Sequence, residues 1–252
     1  MSARDKGASF TRRFFGGLQI DRRSFLTSSA GMLLDPPIPS RLRIRVAVFG
    51  DSASDGLWYA LRAETPKGAR YSFIRRGKVS SGLTQPSFFD WPAKARELAE
   101  DDWGAAVVLL GLNDNLPIKL DNKWTKVGEP TWRKIYGDRA DTVTRAFTGH
   151  GIPLLWVGPP AVRSKKMDEG MRIIHEVLAQ RVPAAGGIFL SIREMTLGPG
   201  DTYTDWIEGT NGKLVHLRHS DGMHFSESGD RYLARYVLNA LRAHPKTAPL
   251  FS

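Results

Sequence analysis

The chain of 252 residues contains no cysteine. That excludes disulfides, thiolate nucleophiles and cysteine-built zinc sites. It does not fix a compartment, because an exported protein need not carry disulfides. Long apolar runs are also missing. None reaches the roughly 18 residues that a bilayer-spanning helix needs, so no membrane span is expected. No internal repeat is visible. Basic residues outnumber acidic ones, 36 to 26, but they are scattered apart from short clusters such as Arg75, Arg76 and Lys78, or Lys165 and Lys166. A diffuse positive excess attracts anionic surfaces or polymers without forming the dense stripe of a nucleic-acid-binding face. No specific nucleic-acid partner is therefore expected.

What is present suits a globular domain. The length allows one large α/β domain with a real core. The first forty residues stand apart. They are basic, contain Arg22-Arg23-Ser24-Phe25-Leu26, and continue as a weakly apolar run from Phe25 to Leu34 that Asp35-Pro36-Pro37 stops. This head resembles a twin-arginine export signal. It implies export to the periplasm; the other reading is a disordered basic leader on a cytoplasmic protein. Residues 1–40 are accordingly set apart from a folded domain over 41–252.

Within that domain, apolar runs alternate with helical patterns. Strands are expected near Leu42–Phe49, Tyr71–Arg75, Ala105–Leu110, Pro153–Val157 and Gly187–Ile192. Helices are expected near Ser54–Arg62, from the end of a turn-like Ser87-Phe88-Phe89-Asp90 to about Glu100, and over Thr131–Thr148, Lys165–Val182 and Ser226–Ala243. Strands separated by helices of this length indicate βαβ units and a parallel sheet. Asn115–Pro130 and Arg193–Ser220 do not fit the alternation and read as insertions, which at this length are functional lids or disordered.

Ligands of open parallel sheets bind beyond the carboxyl ends of the strands. Gly50-Asp51-Ser52 follows the first strand, Ser80-Ser81-Gly82 the second, and Gly111-Leu112-Asn113-Asp114 the third. Asp221-Gly222-Met223-His224 precedes the last helix. A serine hydroxyl needs a base to become a nucleophile at neutral pH. His224 can take the proton, and Asp221 can hold the other imidazole nitrogen. A tetrahedral oxyanion needs two or three donors. The backbone N–H groups of Ser52 and Gly82 and the side-chain amide of Asn113 are the candidates. Asp51 and Asp114 read as loop anchors.

Ser52, Gly82, Asn113 and His224, in that order, resemble the four signature blocks of the SGNH (GDSL) hydrolase superfamily. The stretches "SSGLTQPSFFDWP" and "DGMHFSESGDRYLA" are similar to a poorly characterised bacterial branch of it. The resemblance implies a flavodoxin-like three-layer α/β/α sandwich and ester hydrolysis, or acyl transfer, through an acyl-serine intermediate. It implies no metal or organic cofactor.

Other readings stay open. His216, His219, Asp221 and His224 lie within nine residues and could ligate zinc, which would make His224 a ligand. An acyltransferase would use the same serine on a periplasmic glycan. A non-catalytic binding domain would keep only the fold. Trp58, Phe88, Phe89, Trp91, Trp124 and Trp132 are expected around the site loops; Phe88 and Trp91 have helical spacing, and most such residues are core. Trp124, beside Lys119, Lys123 and Lys126, is the candidate for an exposed substrate platform. It points to a small-molecule or glycan ester such as an O-acetylated polysaccharide. The oligomeric state is not legible.

Overall fold

The computed structural model describes residues 43–209 and 212–251. The leader over residues 1–40, and the export expectation that rests on it, lie outside the described residues. The elements run β1 (Ile44–Gly50), α1 (Ser52–Glu64), β2 (Tyr71–Arg75), α2 (Trp91–Ala99), β3 (Ala105–Leu109), β4 (Ile118–Leu120), β5 (Lys123–Thr125), α3 (Pro130–Thr148), β6 (Leu154–Val157), α4 (Lys165–Ala184), β7 (Ile188–Leu190), β8 (Trp206–Glu208), β9 (Leu214–His216) and α5 (Glu227–Ala243).

β1, β2, β3, β6 and β7 form one sheet in the order β2-β1-β3-β6-β7, with every pair parallel. All residues of β3, β6 and β7 are buried. Side chains alternate between faces along a strand, so burial at every position means that both faces are covered. Two helical groups supply the cover: α1 packs with α5, and α2, α3 and α4 pack together. The chain reverses its direction of travel across the sheet between β1 and β3. In such sheets this switch point opens a crevice outside the strand carboxyl ends. The fold expected from the alternation is the fold observed.

The two inserted segments are not shapeless. Each contains an antiparallel hairpin, β4–β5 in the first and β8–β9 in the second. Trp91 and Trp132, grouped above with the site loops, are fully buried. They still serve those loops from below: the Trp91 indole N–H donates to Ser81 Oγ at 2.8 Å, and that of Trp132 to the Leu116 carbonyl at 2.9 Å.

Phe49, the last large side chain of β1, lies at 5.4 Å from the Trp91 ring and stacks on Phe147 at 5.3 Å. This aromatic cluster is the floor directly behind the Gly50–Ser52 turn. Phe49→Ala is expected to cost about 3–5 kcal/mol, as buried aromatic truncations do. Urea unfolding of the variant measures it, and a loss below about 1 kcal/mol would show that the floor collapses to fill the gap.

Candidate active site

The site begins with a backbone constraint. Gly50 ends β1 at φ 142°, and an added Cβ would lie 1.9 Å from the Leu109 carbonyl oxygen on β3. Only glycine permits that approach. The next residue, Asp51, caps α1: its Oδ1 accepts from Ala53 N–H at 3.0 Å. Capping explains why α1 starts at Ser52, two residues before the expected helix. The serine is therefore the first helical residue, held between the strand end and the first turn.

Asp51 does more than cap. Its Oδ2 accepts from the N–H groups of Gly111 at 3.2 Å and Leu112 at 3.1 Å. One buried carboxylate thus ties the loop after β1 to the loop after β3. Burial, with the nearby Asp114 charge adding to it, pushes the Asp51 carboxyl up to about 7 against the pull of these donors. Asp114 repeats the device. Its Oδ1 accepts from Thr84 N–H at 2.9 Å and Thr84 Oγ1–H at 3.0 Å, and its Oδ2 from the Tyr136 hydroxyl at 3.0 Å. Gly82 rests on this carboxylate, since a Cβ there would meet Asp114 Oδ1 at 2.2 Å. Burial raises the Asp114 carboxyl as well. Asn113 closes the arrangement by donating one Nδ2 hydrogen to the Ser81 carbonyl at 3.0 Å. Among the described residues, neither the Ser52 nor the Gly82 N–H has a protein acceptor.

His224 arrives from the far end of the chain. Ser52 Oγ and His224 Nε2 are 2.7 Å apart, and His224 Nδ1 lies 2.7 Å from Asp221 Oδ2. Asp221 Oδ1 accepts from the N–H groups of Met223 at 2.8 Å and His224 at 2.9 Å. Partial burial opposes ionisation of Asp221. The two backbone donors and the imidazole outweigh it and hold the carboxyl down at about 2. The hydrogen on the nitrogen facing Asp221 follows from this: a carboxylate accepts, so Nδ1 donates and Nε2 is left to accept from the serine.

Two arginines, not singled out in the sequence, hold the Asp221–His224 turn. Arg218 is fully buried. It donates to the Ala161 carbonyl at 2.7 Å and the Met223 carbonyl at 3.3 Å, and its guanidinium lies 4.3 Å from the Phe225 ring centre. Burial lowers it to about 10. Arg163 donates to the Ser220 carbonyl at 2.7 Å and to Asp205 Oδ1 at 2.8 Å. Each binds one backbone carbonyl 57 residues away, a pairing that leaves no local pattern to read.

The zinc alternative finds no geometry. His219 Nδ1 is 3.8 Å from Asp221 Oδ2, while the His216 ring packs on Trp206 at 4.5 Å. Among the described residues, no group of three or more His, Asp or Glu side chains is placed to hold a metal ion. A second serine–histidine contact, Ser191 Oγ to His175 Nε2 at 2.9 Å, is of another kind. There Glu194 accepts from the serine itself at 2.5 Å, so the hydroxyl hydrogen faces a carboxylate and not the histidine. Trp124 sits on β5, exposed over 66% of its surface, with Lys119 Nζ 6.0 Å from its ring centre. Trp206 on β8 is a second exposed indole, at 52%.

A doubly covered parallel sheet, with a serine after β1, glycine and asparagine in the next two loops, and a histidine before the last helix, is the SGNH hydrolase fold. A family model described as "Protein of unknown function (DUF459)" matches residues 45–240, and the chain belongs to that family. No curated protein matches it. Solved structures do. A GDSL-like lipase from Bacteroides thetaiotaomicron is 13% identical, with a TM-score of 0.51 over 80% of this chain and 89% of that one. An alpha/beta hydrolase enzyme from the metagenome of Lake Arreo is 13% identical, with a TM-score of 0.55 over 83% and 97%. An acetylxylan esterase from Geobacillus stearothermophilus, solved as a catalytic mutant, is 14% identical, with a TM-score of 0.50 over 78% and 93%.

The depressed Asp221 carboxyl has a consequence for stability. Its contribution is fully present above the ordinary carboxyl range near 3.8 and is lost as pH falls towards about 2. The stability difference between the parent and Asp221→Asn should therefore narrow as pH drops from about 5 to about 2. Thermal melts across that range check it; a difference that stays constant contradicts the assignment.

Proposed function

We propose that this protein is a serine ester hydrolase acting on O-acyl groups of a glycan through an acyl-serine intermediate. The observation that carries the reading is the continuous hydrogen-bonded chain Ser52–His224–Asp221, with both links at 2.7 Å. Ser52 Oγ attacks the acyl carbonyl while its proton passes to His224 Nε2. Asp221 stabilises the imidazolium that forms. The oxyanion is met by the N–H groups of Ser52 and Gly82 and by the second Nδ2 hydrogen of Asn113. Collapse of the tetrahedral adduct breaks the ester C–O bond, and His224 returns the proton to the departing alcohol. Water, deprotonated by His224, then attacks the acyl-serine and releases the carboxylic acid and the free serine.

The fixed loops suit this chemistry. Catalysis through an oxyanion hole needs donors already aimed at the place where charge develops. Asp51 and Asp114 hold three separate loops in one arrangement before any substrate arrives. Exposed Trp124 supports a sugar-bearing substrate, because an indole face stacks on the C–H face of a sugar ring. The acetylxylan esterase relationship in fold is consistent with that choice. A functional export signal at the head of the chain would put the activity in the periplasm.

Steady-state hydrolysis of 4-nitrophenyl acetate tests the roles. Ser52→Ala and His224→Ala should each lower kcat/KM by on the order of 10⁴-fold or more, and Asn113→Ala by about 10²–10³-fold. Parent-like turnover by the folded Ser52→Ala variant would remove the serine mechanism.

A further inference from the structure

The catalytic residues leave one feature of the site without a role. A cleft of about 450 Å³ opens between Asn113 and Met223, the neighbours of the reacting groups, and extends to the start of α4. Its volume lies in the range of small-molecule sites. Among the described residues, the wall mixes apolar side chains with neutral polar ones such as Ser80, Asn115 and Ser164, contains no carboxylate, and has Lys166 as its one charged residue.

Lys166 has no ion pair among the described residues. Of the acidic residues that follow it on α4, Asp168 binds Arg193 Nη1 at 3.0 Å and lies 3.3 Å from Arg172 Nε, and the exposed Glu169, one turn on, makes no ion pair with it among the described residues. Lys166 is exposed, and the hydroxyl oxygens of a neutral glycan would replace the water on its ammonium with ordinary hydrogen bonds and no more. A carboxylate would replace that water with a charge-assisted hydrogen bond. The surroundings favour the same sign of ligand. Lys119, Lys123 and Lys126 are carried by the β4–β5 insertion that follows Leu116, another residue of the cleft wall, where Asp121 and Glu129 offset part of their charge, and residues 41–252 carry 30 basic against 23 acidic residues. A positive field raises the local concentration of an anionic polymer at the site.

We infer that the cleft is a subsite for the carboxylate of an acidic, uronate-bearing O-acylated glycan, with Lys166 as the residue that reads its charge. The inference rests on the ester-hydrolase reading and narrows its substrate. Trp124 and the cleft then divide the work: the indole takes a sugar face, and the lysine selects for charge. The selectivity is electrostatic, so it weakens with added salt.

The test uses the full chain and the rate at which a fluorophosphonate labels Ser52. Trigalacturonate and the neutral maltotriose are compared as protecting ligands in the parent, Lys166→Met and Lys166→Glu. In the parent, trigalacturonate should slow labelling at concentrations where maltotriose does not. Its half-protecting concentration should rise on the order of tenfold in Lys166→Met and further in Lys166→Glu. Equal protection by the two sugars, no protection by either, or trigalacturonate protection unchanged in both variants overturns the subsite while leaving ester hydrolysis standing. Failure of the phosphonate to label the parent overturns both.

Discussion

One buried carboxylate organises this site. Asp51 is fully inaccessible, yet it accepts from the first turn of α1 and from two amides of the loop after β3. A carboxylate in such a place is costly unless its lone pairs are met. Here the surrounding backbone meets them, and the carboxyl still titrates near 7. The cost is offset by a gain in definition. Ser52 cannot move relative to Asn113 without breaking a hydrogen bond to a buried group, which is among the more expensive losses in a folded protein. Asp114 extends the same logic to the Gly82 loop. The three loops that approach Ser52 are in this sense one rigid body, built on two carboxylates that take no part in the proposed reaction.

His224 is held by different means. Its turn lies outside the sheet and is pinned by Arg218 and Arg163 to backbone carbonyls and to Asp205. The serine half of the site thus depends on carboxyl groups buried among amides, and the histidine half on guanidiniums bound to carbonyls. The two halves meet at a single short contact, Ser52 Oγ to His224 Nε2. Substitutions that loosen either half act on that contact even where they touch neither residue.

Much of this was legible in the sequence, for identifiable reasons. The sheet could be read because Val46–Phe49 and Ala105–Leu110 are uninterrupted apolar runs, and burial on both faces leaves no other pattern. The residues Ser52, Gly82, Asn113, Asp221 and His224 could be proposed together because each stands beside a strand end or helix start, where chain topology brings distant segments to one edge. Trp91 and Trp132 were harder. An indole supplies both a large apolar body and one polar tip, so the same residue can fill the core and brace a loop. The hairpins within 115–130 and 193–220 are short strands of three residues, below the length at which alternation becomes a signal. Arg218 left no trace, because its partners are carbonyl groups that every residue possesses.

The central claim is that an acyl group passes through Ser52, and trapping that species tests it most directly. The protein is acid-quenched while incubated with 4-nitrophenyl acetate, and its peptides are mapped by mass spectrometry. The account predicts an acetyl adduct on the peptide containing Ser52, absent from Ser52→Ala. Turnover that continues without any adduct at Ser52, or with the adduct on another residue such as Ser191, would contradict it.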